Sequence, residues 1–170
     1  MGSINTNDNS GRKFLNHLLN TNPNEASYGI NETGSEKYDF KRTNGTDKVL
    51  YSDANVSDYF RGMPIREKVD GLPVYASARD IGNIGAGLVS GRNGNSWSAS
   101  RLAFNALESK QKGYLIRKTL GSVYAQRLGW NIGNAIFQKT ALSRLPGNRH
   151  LYNTEIPKGY IGLGFKQKKK

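Results

Sequence analysis

The side chains best suited to chemistry fall at repeating intervals. Arg79, Asp80 and Asn83 sit on adjacent faces at the start of a helix-like run whose backbone is thinned by glycine. Arg101 and Asn105 are four residues apart, Trp97 precedes Arg101 by the same interval, and Gln126, Trp130 and Asn134 repeat it with Arg127 alongside. A tryptophan, an arginine and amides brought together suit a nucleic-acid cleft: the ring stacks, the guanidinium meets phosphate and the amides read base edges. His150 adds a titratable group, in RLPGNRH between Arg144 and Arg149. Metal-free RNA cleavage needs a base for the 2′-hydroxyl, an acid for the leaving group and a cation for the phosphorane. Asp80 and His150 are the candidates for proton transfer, and Arg79 and Arg101 for phosphate. Asn83, Trp97, Asn105, Gln126, Arg127, Trp130, Arg144 and Arg149 are candidate binding residues.

Each has a plainer reading. Ser77-Ala-Arg-Asp80 is an S-x-x-D pattern, a variant of the capping box, with the acid suited to the positive helix terminus. Both tryptophans read equally as core. Arg101 has Asp80 or Glu108 as prospective ion-pair partners, and a single loop histidine is often incidental.

Composition narrows the field. The chain has no cysteine and two histidines, His17 and His150, far apart in sequence. Thiolate chemistry and sulfur-based zinc sites are therefore excluded, and neither a metal nor a cofactor is expected. H-E-x-x-H, G-x-S-x-G and the P-loop are missing. No run of 18 apolar residues occurs, nor a charged n-region followed by a hydrophobic h-region, so the chain is expected neither to span a membrane nor to direct its own secretion. Charge is one-sided. Residues 1–85 carry 10 Lys and Arg against 11 Asp and Glu, whereas residues 86–170 carry 15 against 2, a net of +13. So cationic a half calls for a polyanion, with nucleic acid first, an acidic protein second and an anionic membrane surface third.

The elements that must position these residues read as follows. Residues 1–36 contain eight asparagines and little hydrophobic periodicity beyond Phe14-Leu15 and Leu18-Leu19, the pattern of a flexible polar lead-in with at most a short helical turn. The opening Met-Gly-Ser reads as an expression remnant and implies a longer parent polypeptide. KYDFK (37–41) and DKVLY (47–51) read as strands around an Asn-Gly turn, DANVSDYF (53–60) as a helical turn capped by Ser52 or Asp53, and 65–76 as a hairpin turning at Asp70-Gly71. Three helices follow: Ser77 to about Val89, 96–111 stopped by Gly113, and about 122–140. The last carries an apolar line of Tyr124, Leu128, Ile132 and Ile136. Rows of small residues, Ala78/Gly82/Ala86 with Gly85 and Ala125/Gly129/Gly133, predict close helix packing. Runs 151–156 and 159–165 read as strands, and 166–170 as a basic tail. The expected fold is α+β: an N-terminal β-hairpin region, a core of about three close-packed helices and C-terminal strands, with the domain over 37–165.

KYDFK, ASARDIGNIGAGLVSG (76–91), GNSWSASRLAFNALES (94–109) and AQRLGWNIGNAIF (125–137) resemble the C-terminal toxin tips of Rhs/YD-repeat polymorphic toxins, in the group known as bacterial polymorphic toxin type 44. The matching positions are Arg79, Asp80, Gly82 and Asn83; Ser96, Trp97 and Arg101; and Ala125, Gln126, Gly129 and Trp130. Glu108-Ser109 and the basic extension 141–170 depart from the pattern. The resemblance implies a domain delivered by a large carrier through a specialised secretion system, acting in the target-cell cytoplasm and neutralised by a cognate immunity protein, which the charge makes acidic. The expected activity is metal-independent nucleic-acid cleavage, of RNA before DNA. The alternatives are a toxin of the cell envelope, as wall hydrolase or membrane disruptor, and a non-enzymatic binding module. Wall hydrolysis needs two spaced carboxylates, and the basic half offers only Glu108 and Glu155.

Overall fold

A computed structural model describes residues 2–31, 36–52, 54–69, 72–114 and 119–143. Their elements are, in chain order, α1 (Ser10–Thr21), α2 (Glu25–Asn31), the single turns α3 (Phe40–Thr43) and α4 (Val56–Tyr59), β1 (Gly62–Val69), β2 (Leu72–Ser77), α5 (Ala78–Arg92), α6 (Trp97–Lys112) and α7 (Leu120–Ser143). The fold is mostly helical, with α5, α6 and α7 at its centre and a small hairpin in mid-chain. That overturns the expected α+β layout with an N-terminal β-hairpin region and C-terminal strands. Runs 151–156 and 159–165 lie outside the described residues.

The first expected hairpin fails for a visible reason. Asn44 and Gly45 do take positive φ, 52° and 76°, but they end α3 instead of joining two strands. Phe40 is 1% exposed, and a helical turn drives its ring against Phe14 at 4.8 Å between centroids. The carbonyls a strand ladder would need are taken by Arg61, buried at 8% exposure. Its guanidinium donates to the oxygens of Lys41 at 2.7 Å, Asp58 at 2.5 Å and Phe40 at 3.2 Å, and to Asn44 Oδ1 at 2.6 Å, while stacking 3.5 Å over Tyr51. Desolvation pushes this guanidinium below its ordinary pKa, opposed by Tyr51, Asp8 and Asp58.

The second hairpin forms. β1 and β2 pair antiparallel with Gly62 opposite Ser77, and Ile4 adds a parallel bridge to Gly62. The helical turn expected over 53–60 is α4, capped by Asn55 rather than Ser52 or Asp53. The residues expected as a flexible lead-in instead carry α1 and α2. Phe14, Leu15, Leu18 and Leu19 fall on one face of α1 and are buried, as is Tyr28 of α2. Two adjacent apolar pairs set three residues apart make a complete amphipathic face. That face covers one side of α5, where Gly85 admits it: a Cβ there would lie 2.9 Å from the Phe14 ring and 3.0 Å from Leu18.

The opposite side of α5 meets α7, backbone against backbone. A Cβ on Gly87 would press on the Gln126 carbonyl, and one on Gly91 on the Trp130 carbonyl. Reciprocally, Gly129 receives the Ile84 carbonyl and Gly133 that of Leu88. The expected stripe on α7 is thus present at Gly129 and Gly133, whereas the α5 stripe facing it is Gly87 and Gly91, not Ala78, Gly82 and Ala86. The apolar line expected on α7 also moves: Ile132 is buried, but Tyr124 is 71% and Leu128 44% exposed. Glycine contact, not side-chain interdigitation, decides which face of α7 turns inward.

Gly129→Ala and Gly87→Ala are expected to lower stability by about 3 kcal/mol or more each, because backbone cannot relax around the added methyl as a side chain does. Gly121, in the first turn of α7, has nothing within 4 Å of its notional Cβ. Gly121→Ala is expected to stabilise by up to about 1 kcal/mol through helix propensity. Chemical denaturation of the three variants beside the parent chain measures both signs.

Candidate functional site

The α5–α7 contact places four of the sequence-predicted side chains in one chain of hydrogen bonds. Gln126, 1% exposed, donates through Nε2 to Asn83 Oδ1 at 3.0 Å. Its Oε1 accepts from Arg101 Nη1 at 2.6 Å, and Arg101 Nη2 donates to Asn105 Oδ1 at 3.0 Å. Asn83 completes the line by donating to the Arg79 carbonyl at 3.1 Å. Arg101 is therefore held by two amide oxygens, not by the carboxylate of Asp80 or Glu108 that its sequence neighbourhood suggested. Among the described residues no carboxylate lies at ion-pair distance from it, so its charge is oriented by neutral groups.

One end of this chain opens into a cleft of about 280 Å³ between α3, α5, α6 and the start of α7. Asp39, Lys41, Arg79, Asn83, Glu108 and Ser122 supply its polar lining, and Tyr38, Tyr59 and Phe104 its aromatic walls. Asp39 is 4% exposed and pairs with Lys41 at 2.8 Å. The cleft thus gathers two carboxylates and two cations from three elements, the capped turn α3, α5 and α6. Sequence reasoning missed Asp39, Lys41, Tyr59 and Ser122; the available signal was the acid inside KYDFK, the run whose helical turn carries Asp39 and Lys41 to the cleft.

The other end reaches the tryptophans. Trp97 and Trp130 meet edge to face at 6.0 Å, and Trp130 Nε1 donates to the Asn95 carbonyl at 2.9 Å. The Arg127 guanidinium lies 4.8 Å from the Trp97 centroid and 4.7 Å from that of Trp130, and Arg101 lies 5.8 Å from Trp97. Both rings are half-buried: Trp97 packs against the core and Trp130 against Trp97, and the surface of both holds arginine.

Asp80 stands apart from this array. Ser77 Oγ accepts from the Asp80 amide at 3.1 Å and donates to Asp80 Oδ2 at 2.8 Å. Asp80 faces a separate, largely apolar hollow with Ile4, Val56, Phe60 and Tyr75, so successive residues Arg79 and Asp80 serve different cavities. His150, Arg144 and Arg149 lie outside the described residues. Among the described residues no group of three or more His, Asp or Glu is placed to hold a metal ion, and no helix is long and apolar enough to cross a membrane.

A second polar network, also unforeseen, fixes the far side of α5. Ser90 and Ser100, both buried, share a hydrogen bond of 2.8 Å, and Glu25 accepts from Ser90 Oγ at 2.7 Å and Asn95 Nδ2 at 2.5 Å. Nearby, Arg92 donates to the Leu19 carbonyl, and burial lowers its pKa. Comparison with protein-family models, curated proteins and solved structures finds no match to this chain.

Ser77→Ala is expected to cost about 1 kcal/mol through loss of the helix cap. Asp80→Ala should cost a similar amount, and the double variant less than the sum, since both remove one reciprocal interaction. Thermal melts of the three variants measure the coupling, and additive losses would show that Asp80 has another role.

Proposed function

We propose that this domain is an antibacterial toxin domain that cleaves nucleic acid without a metal, RNA in preference to DNA, after delivery by a large secreted carrier into the cytoplasm of a target cell. The observation that carries the reading is the cleft of Arg79, Asn83 and Glu108, continuous through Gln126 with Arg101, whose guanidinium pairs with no carboxylate among the described residues. A phosphodiester bound there meets Arg79, with Arg101 behind it, and guanidinium stabilises charge developing on the non-bridging oxygens. RNA carries its own nucleophile. Glu108 is assigned the 2′-hydroxyl proton; the 2′-oxygen bonds to phosphorus as the bond to the 5′-oxygen breaks, and a proton returned to that oxygen leaves a 2′,3′-cyclic phosphate and a 5′-hydroxyl. An acidic immunity protein is the natural antagonist of such a surface, because carboxylates can occupy the phosphate positions.

A second reading has one observation in its favour. Asp39 and Glu108 share the cleft, so the two carboxylates that glycan hydrolysis requires are present although the basic half of the sequence does not supply both. An envelope-directed wall hydrolase would use the same residues.

Purified chain is expected to degrade tRNA or ribosomal RNA with and without EDTA, leaving plasmid DNA and peptidoglycan intact. Glu108→Gln and Arg79→Ala should each slow RNA cleavage by about 10²-fold or more, the usual loss on removing a general base or an electrostatic clamp. Intact RNA under every condition rejects the nuclease reading, and release of soluble glycan fragments selects the second.

A further inference from the structure

Arg127 differs from the other arginines tied into the helical core. Arg61 and Arg92 donate to backbone carbonyls, and Arg101 to two amide oxygens. The Arg127 guanidinium has no hydrogen-bond acceptor and no carboxylate at ion-pair distance among the described residues, although the side chain is half-buried. Two tryptophan rings hold its plane through cation–π contacts. A planar fork of donors already ordered, with no protein acceptor among the described residues, is preorganised for an oxyanion, since the entropy of holding the side chain is lost before the ligand arrives. Arg101 approaches the same Trp97 ring, so two like charges are gathered where only an anion relieves their repulsion.

The arrangement extends beyond one anion. Arg79 at the cleft, Arg101 on the amide chain and Arg127 at the tryptophans come from α5, α6 and α7 and are linked through Asn83, Gln126 and the Trp97 ring. Several cations from adjoining helices fit a ligand that repeats its charge. We propose that Arg127 is a preformed second phosphate contact, and that the ligand is a single-stranded polynucleotide spanning the cleft and the Trp97–Trp130 bracket, not a single nucleotide. The inference rests on the reading of the cleft as a phosphodiester site. It also assigns the tryptophans: their role is to position the guanidinium, because Arg127 occupies the ring surface on which a base would stack.

Trp97 and Trp130 are the chain's two tryptophans, so fluorescence excited selectively at tryptophan, beyond the absorption of the tyrosines, reports this place alone. The full chain is titrated with a short single-stranded 2′-deoxy oligonucleotide, which lacks the nucleophile and binds without turnover, and separately with a mononucleotide and with polyglutamate. The oligonucleotide is expected to change the emission saturably and to bind far more tightly than either other probe. Arg127→Lys, which keeps the charge but not the planar fork, should weaken it about tenfold, nearly as much as Arg127→Gln. In Arg127→Gln the salt dependence of binding should fall by about 0.7 in log–log slope, one phosphate's share on a single strand. Wild-type affinity in Arg127→Lys, or equal binding of mononucleotide or polyglutamate, overturns the proposal. Oligonucleotide binding with these signatures but intact RNA rejects nuclease action and leaves the contact standing; RNA cleavage unaltered in Arg127→Lys rejects the contact alone.

Discussion

The close approach of α5 and α7 is the constraint on which the rest depends. Four glycines, Gly87, Gly91, Gly129 and Gly133, let each helix seat its carbonyls against the other's backbone. An interior glycine costs about 1 kcal/mol of helix propensity against alanine, so dense contact over several turns must offset that loss. The contact also fixes the site. The residues whose backbones rest on Gly87 and Gly91 are Gln126, Trp130 and Asn134, and the Gln126 and Trp130 side chains make the amide chain and the tryptophan bracket. The packing contact and the candidate site are carried by the same turns of helix.

Holding arginine with amides has a consequence that ion pairing lacks. A carboxylate beside Arg101 would orient it equally well and cancel its field. Asn105 and Gln126 orient it with hydrogen bonds worth about 1.5–3 kcal/mol each to a charged group, while leaving the net charge intact. Glu25 is deployed differently, its carboxylate accepting hydrogen bonds from Ser90 and Asn95 and pairing with no arginine among the described residues.

Much of this was legible in the sequence and some was not, for physical reasons. The three long helices could be read because caps and stop signals act locally: Ser77 caps α5 as its pattern indicates, and Gly113 ends α6 at φ 74°. The residues at four-residue spacing did converge, because that spacing keeps side chains on one helix face. What the sequence concealed were tertiary decisions. Nothing local shows that Arg61 will claim the carbonyls of 40 and 41, so KYDFK and its Asn-Gly turn read as a hairpin. Small residues mark α5 on more than one side, and only the partner helix selects Gly87 and Gly91. Asp39 reaches the cleft through a turn that sequence reasoning assigned to a strand.

Bulk charge is the least direct of the sequence signals. Of the fifteen lysines and arginines in residues 86–170, nine lie outside the described residues, and Arg92 is committed to a backbone carbonyl. Lys110 and Lys139 stand exposed on separate helices. The array that forms takes Arg101 and Arg127 from the cationic half and Arg79 from the half whose formal charge is −1. At physiological salt, exposed charges act over about 8 Å, so a distant lysine adds little to the potential felt by a bound phosphate. Local geometry decides the field there: how each guanidinium is held, and which carboxylates share its cavity, counts for more than a larger number of scattered cations. Two tryptophans and two amides therefore do more to place these guanidinium groups than the net charge of the chain does.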